Sequence, residues 1–288
     1  MSDETALLKA ICDDPDDDGV RLVYADWLVE RGAPGDDDRA EFIRVQCALA
    51  NPGTPASTRK SLLEREEHLL EQHREAWEKP LRELGAEEIT FQRGFPQGVT
   101  IESASFLRNA EALFARAPIR ALHARLLVPK DLAALAASPH LRNLTTLDLC
   151  YNKLGPEGAR ALAASPHLRN LTTLDLWHND LGAEGAQALA ASPHLQHLTT
   201  LNLGLNDLGP EGARALAASP HLRNLTTLDL CYYNNIGPDG AQALARSPNL
   251  PNLTTLEFDR DTIGDAVLGE IKRTLDAKCL ARHPQVPH

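Results

Sequence analysis

Short stretches of alternating apolar and polar residues recur through the second half of the chain. In the first of them, Leu147 and Leu149 alternate with Thr146 and Asp148. A period of two is typical of a β-strand with one apolar face, because successive side chains of a strand point to opposite sides. The pattern therefore predicts short strands that bury leucines on one side and present polar side chains on the other.

A helical pattern follows each of these strands. Gly155 interrupts the chain, and Pro156 suits the first turn of a helix, where its missing N–H is not needed. Ala159 and Leu162 then fall on one helical face. Pro166 predicts the end of the helix, since a proline restricts the residue before it to extended conformations. One unit is thus a strand, a turn and a short amphipathic helix.

The unit is repeated at a nearly constant interval, with successive copies 27, 27, 27 and 28 residues apart. Their Leu-Thr-Thr-Leu strings begin at Leu144, Leu171, Leu198, Leu225 and Leu253. One copy cannot bury its own leucines, so we expect the copies to stack on one another. The extra residue of the longest step falls in "CYYNN", between Leu230 and Asn234, and we expect the turn to absorb it.

An asparagine stands at the same place in four copies, after the strand. In the first copy it is Asn152. A short strand leaves backbone groups of the following turn unpaired, and an asparagine side chain can hydrogen-bond them. We therefore expect this side chain to stabilise the turn.

The order L-x-x-L-x-L-x-x-N-x-L-G, followed by a helix, resembles the leucine-rich repeat of the long, ribonuclease-inhibitor-like class. The resemblance covers roughly residues 118–264. It implies an α/β fold, a curved solenoid with parallel strands on the concave side and helices on the convex side. At the N-terminal end, residues 118–127 fit the strand pattern loosely and residues 132–141 match the helix. Before them, "FPQGVTIESASFLRNAEALFARA" predicts another strand and helix without the signature. They suggest degenerate capping repeats.

The first 84 residues have helical patterns instead, with three short helices before residue 50 and a long charged helix over 57–84. The string "LVYADWLVERGAPGDDDRAEFIRVQCAL" resembles the repeat-companion domain, a small helical module of bacterial proteins. The matching residues are Tyr24–Leu28, Arg31, Gly32 and Arg39–Ile43. The resemblance implies an all-α module before the solenoid and no particular activity. Its charged residues suggest either a structural ion-pair network or a peptide-docking site, and those residues are Asp26, Arg31, Arg39 and Glu41.

Together these patterns predict five regions. They are a helical repeat-companion module at 1–50, a helical connector at 51–86, degenerate capping repeats at 87–143, regular repeats at 144–264, and a C-terminal cap helix and tail at 265–288.

Charge and composition narrow the class of partner. The net charge is −11, and residues 1–50 hold thirteen Asp and Glu against five Lys and Arg. This balance argues against nucleic acid, whose phosphates bind clustered basic residues. The N-terminus is acidic and lacks a long apolar run, so we expect no signal peptide, and no apolar run of ~20 residues predicts a membrane span. The five cysteines show no paired spacing, which is typical of free thiols in a reducing compartment. We therefore expect a soluble cytoplasmic protein.

Two columns of residues invite a metal or a disulfide, and we predict neither. A histidine follows a proline in four copies, at His140, His167, His194 and His221. Neighbouring repeats are too far apart on that side for one ion to collect several of these ligands. Cys150 and Cys231 share a column but stand three repeats apart, beyond the reach of a disulfide. No metal and no cofactor are therefore expected.

The outward residues of the strands and turns are the candidate binding surface. The acidic column is formed by Asp148, Asp175, Asn202, Asp229 and Glu257. The aromatic ridge, at the strand ends, is formed by Tyr151, Trp177, His178, Leu205, Tyr232 and Tyr233. Exposed Trp and Tyr are enriched in binding hot spots. The ridge can also be explained by surface drift between near-identical copies.

Three functions are compatible with these patterns. The first is a non-enzymatic scaffold that binds a protein with a basic or mixed surface on its concave face. The second is a regulator or inhibitor of an enzyme such as a nuclease or small GTPase. The third is a cysteine-dependent enzyme using Cys150, His178 and Asp180, which the open face disfavours. We predict that the protein is not an enzyme and favour a monomer, with the oligomeric state left open.

Overall fold

The structure is a computed structural model that describes residues 3–259 and 263–282. The predicted tail beyond residue 282 therefore lies outside the described residues. The chain divides into two compact units. The first extends to Ile101 and includes Arg108–Leu122; the second contains Glu102–Leu107 and the chain from His123 onward.

Four helices make up most of the first unit, as the sequence predicts for the all-α module and connector. They are α1 (Asp3–Asp13), α2 (Asp18–Arg31), α3 (Asp36–Ala50) and α4 (Ala56–Arg82). Helix α2 begins where the Asp17 carboxylate accepts a hydrogen bond from the Gly19 N–H, and it ends at Gly32, whose φ of 63° is left-handed. No helix in the described part of the chain is both long and apolar enough to cross a membrane.

The core of this unit is built from the residues of the helical motif. Tyr24 and Leu28 of α2 pack with Ile43 of α3 and with Phe95. The guanidinium of Arg39 lies 4.8 Å from the ring centre of Trp77, and it also faces the rings of Phe42, Phe91 and Phe95. Burial lowers the pKa of Arg39 to about 10. The motif is thus a packing motif in which one arginine stacks among aromatic rings.

A β-hairpin follows α4, with β1 (Ala86–Gln92) antiparallel to β2 (Phe95–Glu102). Its turn contains Gly94, with a φ of 82°. A Cβ at Gly94 would lie 2.6 Å from the Cα of Ile43, so only glycine fits between the hairpin and α3. The sequence patterns predict β2 and the next helix, α5 (Ser103–Arg116), but do not predict β1.

Strands and helices then alternate. The strands are β3 (Ala121–Arg125), β4 (Thr146–Asp148), β5 (Thr173–Asp175), β6 (Thr200–Asn202), β7 (Thr227–Leu230) and β8 (Thr255–Phe258). The helices are α6 (Pro129–Ala136), α7 (Gly155–Ala163), α8 (Gly182–Ala190), α9 (Gly209–Ala217), α10 (Gly237–Arg246) and α11 (Asp265–Arg282). Short 3-10 turns occupy Pro139–Asn143 and Pro166–Leu168.

The strands of the second unit are neighbours in chain order, and β4 to β8 are parallel. Their register pairs equivalent residues, so Leu147 faces Leu174 and Leu174 faces Leu201. All three leucines are fully buried. The predicted fold class, a repeat solenoid of strands and helices after an all-α module, is confirmed.

A row of buried serines joins successive repeats at the end of each helix. The Ser192 hydroxyl donates to the Ala163 carbonyl at 2.6 Å, and the Ser219 hydroxyl donates in the same way to the Ala190 carbonyl. Each of these carbonyls lies in the last turn of the preceding repeat's helix, where no backbone N–H can reach it. The repeats are therefore held together by hydrogen bonds on the helical side as well as by leucines.

Candidate functional site

The strand register brings the acidic column together. Asp148, Asp175, Asn202, Asp229 and Glu257 are successive partners across β4 to β8. The Asn202 amide donates to the Asp175 carboxylate at 3.0 Å. Burial raises the pKa of Asp175, and the carboxylates of Asp148 and Asp229 act in the same direction, whereas the hydrogen bond from the Trp177 N–H opposes them. The column thus places four carboxylates and one neutral amide on successive strands.

The same side chains also shape the turns that follow them. Asp148 Oδ1 accepts the N–H of Cys150 at 2.9 Å, and Asp175 Oδ1 accepts the N–H of Trp177 at the same distance. Asn202 accepts the N–H of Gly204 in the third repeat. Since asparagine fills the position as well as aspartate, the turn requires the carbonyl-type oxygen and not the charge.

The first half of the aromatic ridge is one cluster of rings. The centroids of Tyr151 and Trp177 are 4.5 Å apart, and those of Tyr151 and His178 are 4.9 Å apart. The Trp177 and His178 rings are in edge contact at 5.5 Å. Edge-to-face contacts at such distances are favourable. Tyr151 is nevertheless 62 % exposed, so the cluster presents aromatic surface to solvent.

Trp177 is held in place by its neighbour in the next repeat. A Cβ on Gly204 would lie 2.4 Å from Cδ1 of the Trp177 ring. The indole therefore occupies the space that the missing side chain leaves, and it is half-buried. A ring that is already fixed loses little conformational entropy when a partner covers it.

The second half of the ridge is the turn with the extra residue. Tyr232 and Tyr233 are 59 % and 73 % exposed, whereas Leu230 and Asn234 on either side are buried. The Tyr232 N–H donates to the Asp259 carboxylate at 2.8 Å. The prediction that the turn absorbs the surplus and directs a tyrosine outward is confirmed.

Ridge residues adopt a left-handed backbone conformation. The φ angles of Tyr151, His178 and Leu205 are 59°, 53° and 58°. Such a conformation costs ~1 kcal/mol for a residue with a side chain. Lys153 and Asp180, two positions further along in their repeats, share it, with φ angles of 51° and 55°. The strain therefore belongs to the repeated turn rather than to one site.

The hydrogen bonds of the buried asparagine offset the cost of this backbone conformation. The Asn179 amide donates to the carbonyls of Leu149 and Trp177, and its Oδ1 accepts the N–H groups of Asn152 and Leu154 in the preceding repeat. The predicted role of the repeated asparagine is confirmed. Each such residue links its own turn to that of the repeat before it.

One residue of the site, His123, was not predicted from the sequence. His123 of β3 lies in the column of Asp148, one repeat earlier. The turn hydrogen bond from the Leu127 N–H to Asn152 Oδ1 spans 25 residues, so this step of the repeat is shorter than 27. Cys150 Sγ lies 3.6 Å from His123 Nε2, and His123 Nδ1 lies 3.9 Å from Asp148 Oδ2. All three side chains are half-buried. Counting back by 27 residues does not find its column, because this first step is 25 residues long and its repeat lacks the leucine signature.

Cys150 has a different neighbour from the one that the sequence predicts. The thiol meets the imidazole of His123, while the His178 ring packs on Tyr151 and Trp177 and Asp180 is exposed. Burial, together with the hydrogen bond and charge of Asp148, raises the pKa of the Cys150 thiol to about 12. A nucleophilic cysteine needs a lowered pKa instead. The Cys150 thiol has His123 as its hydrogen-bonding partner instead of the predicted His178.

In the first unit, three of the four charged motif residues form ion pairs. Arg31 donates to Asp36 at 2.8 and 2.5 Å, which lowers the pKa of that carboxyl. Asp26 accepts from Arg44, and Glu41 accepts from Arg65, both at 2.6 Å. The fourth, Arg39, lies among aromatic rings. Their partners are structural neighbours, as the ion-pair interpretation requires.

The repeats match a known family. A family model described as Leucine Rich repeat matches residues 140–163, 167–190, 194–217 and 221–245. These four segments are therefore similar to leucine-rich repeats. A search of the curated proteins found no match to the chain. The four matches contain β4 to β7 and helices α7 to α10 apart from the last residue of α10, and therefore most of the acidic column and the whole aromatic ridge.

Proposed function

We propose that the protein is a non-enzymatic scaffold that binds another protein through the outward face of its leucine-rich strands. The observation that carries this proposal is the aromatic ridge. Three tyrosines that are each more than half exposed stand with Trp177 and His178 along one edge of four successive repeats. Leucine-rich repeats generally serve as protein-interaction modules.

The expected partner carries basic groups. The acidic column runs beside the ridge over β4 to β8, and burial raises the pKa of Asp175 within it, so the charges are poorly solvated. A Lys or Arg side chain placed over this strip would gain Coulomb energy and relieve the repulsion between the carboxylates. We therefore propose a basic or mixed partner surface, with aromatic contacts at the ridge.

The test is capture of the partner with matched baits. Trp177→Ala removes the fixed ring, and Tyr232→Ser with Tyr233→Ser removes exposed rings that bear little on the fold. Arg160→Ala is the control, since Arg160 is exposed on α7. It pairs with Glu157 of the same helix and with Glu184 of α8. A partner that binds the wild type and Arg160→Ala should be depleted on both ridge variants.

Calorimetry with the captured partner then measures the effect. Trp177→Ala should weaken binding by ~2 kcal/mol or more, roughly 30-fold in Kd, as truncation of hot-spot residues does. Circular dichroism and melting curves check that the variant is folded. Binding that is lost in Arg160→Ala and kept in both ridge variants would contradict the proposal and move the site to the helical side.

A regulator of an enzyme is the second candidate, and the acidic strip favours it. An enzyme that acts on nucleic acid has a basic active-site surface, and a continuous acidic column is complementary to such a surface. If the captured partner is a nuclease, inhibition that is relieved by added salt supports this role. A small GTPase partner would instead show a changed rate of nucleotide hydrolysis or exchange.

The remaining expectations from the sequence are also proposals. We propose that residues 1–50 belong to the repeat-companion family, whose motif residues Tyr24, Leu28 and Ile43 lie in one core cluster here. We further propose a bacterial origin, a monomeric state and a cytoplasmic location, and the last of these is compatible with five free cysteines. We also propose the region boundaries at 50, 86, 143 and 264 given by the sequence.

A further inference from the structure

Three different metal-ligand types meet at the start of the strand face. His123, Asp148 and Cys150 each offer one donor atom, and these atoms all lie within 4.8 Å of one another. In the part of the chain that the structure describes, this is the one group of three such residues with that spacing. It lies apart from the proline–histidine column, which the sequence singles out.

The spacing is close to that of a metal centre. Zinc binds sulfur at ~2.3 Å and nitrogen or oxygen at ~2.0–2.2 Å in a tetrahedral arrangement, so its ligand atoms lie roughly 3.3–3.8 Å apart. Cys150 Sγ and His123 Nε2 are already 3.6 Å apart. The three donor atoms lie within 4.8 Å of one another, so the widest spacing exceeds the tetrahedral range by about 1 Å at most.

The electrostatics of the site also favour a cation. The Asp148 carboxylate accepts the backbone N–H of Cys150 at 2.9 Å and thus places its negative charge beside the thiol. Asp148 has one oxygen engaged by the Cys150 N–H and a second oxygen directed toward His123. A divalent ion would offset this negative potential and bind the thiolate directly, with release of the thiol proton.

We propose that His123, Asp148 and Cys150 form a three-ligand site for a borderline-soft divalent cation, with zinc as the natural occupant. A thiolate and an imidazole select zinc over magnesium or calcium, which prefer oxygen ligands alone. The fourth position faces the open strand side, where water or a side chain of the partner can complete the coordination. Asp148 also belongs to the acidic column, but the test of the metal site uses no protein partner and so does not depend on the proposed protein-binding function.

The repeats supply a matched control within the same chain. Cys231 stands in the column of Cys150, and its N–H is bound by Asp229 Oδ1 at 2.8 Å as the Cys150 N–H is by Asp148. The pKa of Cys231 is likewise raised to about 12 by burial and Asp229. One repeat earlier, however, Asn202, the strand partner of Asp229, takes the place that His123 holds for Cys150. Cys231 thus has a thiol and a carboxylate without the imidazole.

Cobalt(II) alone is the probe. The full chain, treated with a chelator and kept free of oxygen, is titrated with cobalt(II) and followed by absorption. One equivalent should produce a thiolate-to-cobalt charge-transfer band and the intense visible bands of a tetrahedral site, and zinc should abolish both. Affinity should rise with pH, because the metal must displace the thiol proton.

Substitutions identify the ligands. Loss of a residue that merely supports a ligand weakens metal binding about 10–100-fold, so His123→Gln and Cys150→Ser should each weaken it at least ~100-fold. Cys231→Ser should leave affinity and spectrum unchanged. Asp148→Asn keeps an oxygen for the Cys150 N–H and should also weaken binding. If Cys150→Ser fails to fold, His123→Gln decides the question, since His123 is half-exposed on a strand face.

Two results would overturn the proposal. One is a wild-type chain that shows no thiolate charge-transfer band at stoichiometric cobalt(II). The other is a band that persists in both His123→Gln and Cys150→Ser, or that disappears in Cys231→Ser, because the metal would then be bound elsewhere. Binding without any thiolate band, as surface histidines alone would give, counts as the first of these results.

Discussion

At the scale of single residues, the acidic column combines a structural role with an electrostatic one. The oxygen of each column residue before a turn accepts an N–H two residues on, and Asn202 performs this task without charge. The charge of Asp175 is therefore not needed for the turn. Its raised pKa shows that the folded protein disfavours the ionised form.

This separation predicts how Asp175→Asn changes the pH dependence of stability. A carboxyl whose pKa is raised in the folded state contributes stability below its unfolded pKa of about 3.9 and loses that contribution as pH rises through the folded pKa. Asp175→Asn has no ionisable group at this position, so it does not lose stability in this way as the pH rises. Its melting temperature relative to the wild type should therefore increase between pH 3 and pH 7. A constant difference over this range in thermal melts would contradict the assignment.

Residue identities on this face were predictable because the copies are in register. The interval of 27 residues places each column residue beside its equivalent, and β4 to β8 confirm that arrangement. His123 was missed because its repeat lacks the leucines that mark the others. The contact between Trp177 and Gly204 depends on how an indole folds over a neighbouring strand, which spacing alone does not specify.

At the scale of elements, the turn after each strand depends on a single side chain. Asn179 is fully buried and makes four hydrogen bonds to backbone groups of two successive repeats. Asn179→Leu would leave those groups unpaired in the interior. We expect a loss of ~1–3 kcal/mol or more in the free energy of unfolding, measured by urea denaturation.

Asn224 provides the matched control for this substitution. It is exposed, and its amide donates to the Gln196 carbonyl at 2.8 Å. Asn224→Leu should change the free energy of unfolding by less than ~0.5 kcal/mol, as surface substitutions usually do. Equal effects of the two variants would show that the buried asparagines do not stabilise the turns.

Elements with a strong local pattern were predictable, and those fixed by distant contacts were not. The repeated strands and helices follow from apolar spacing, glycines and prolines in the chain itself. Strand β1 exists because it pairs with β2, and the hairpin turn fits only because Gly94 lies against Ile43 of α3. Such a contact joins segments about fifty residues apart, so no local pattern of positions 86–92 reveals it.

At the scale of the whole molecule, charge should control how fast a partner arrives. The net charge of −11 and the acidic column on the strand side give a long-range attraction for a basic surface. Such attraction acts on the association rate and is screened by salt, because the Debye length is only about 8 Å at physiological ionic strength. The contacts of the aromatic ridge should instead govern dissociation.

A variant that lacks two charges of the acidic column separates the effect of charge on association from the effect of the ridge on dissociation. In Asp229→Asn combined with Glu257→Gln, the amide at 229 can still accept the Cys231 N–H, as Asn202 does for Gly204, so the fold should be kept. At low salt the association rate constant for the captured partner should fall roughly 3- to 10-fold, with a shallower salt dependence and little change in the dissociation rate. Trp177→Ala should show the reverse, a faster dissociation with an unchanged salt slope. Surface plasmon resonance over a series of salt concentrations measures both rates. If the charge variant leaves the salt slope unchanged, the partner does not bind over the acidic column, and the charges of that strip serve only the turns.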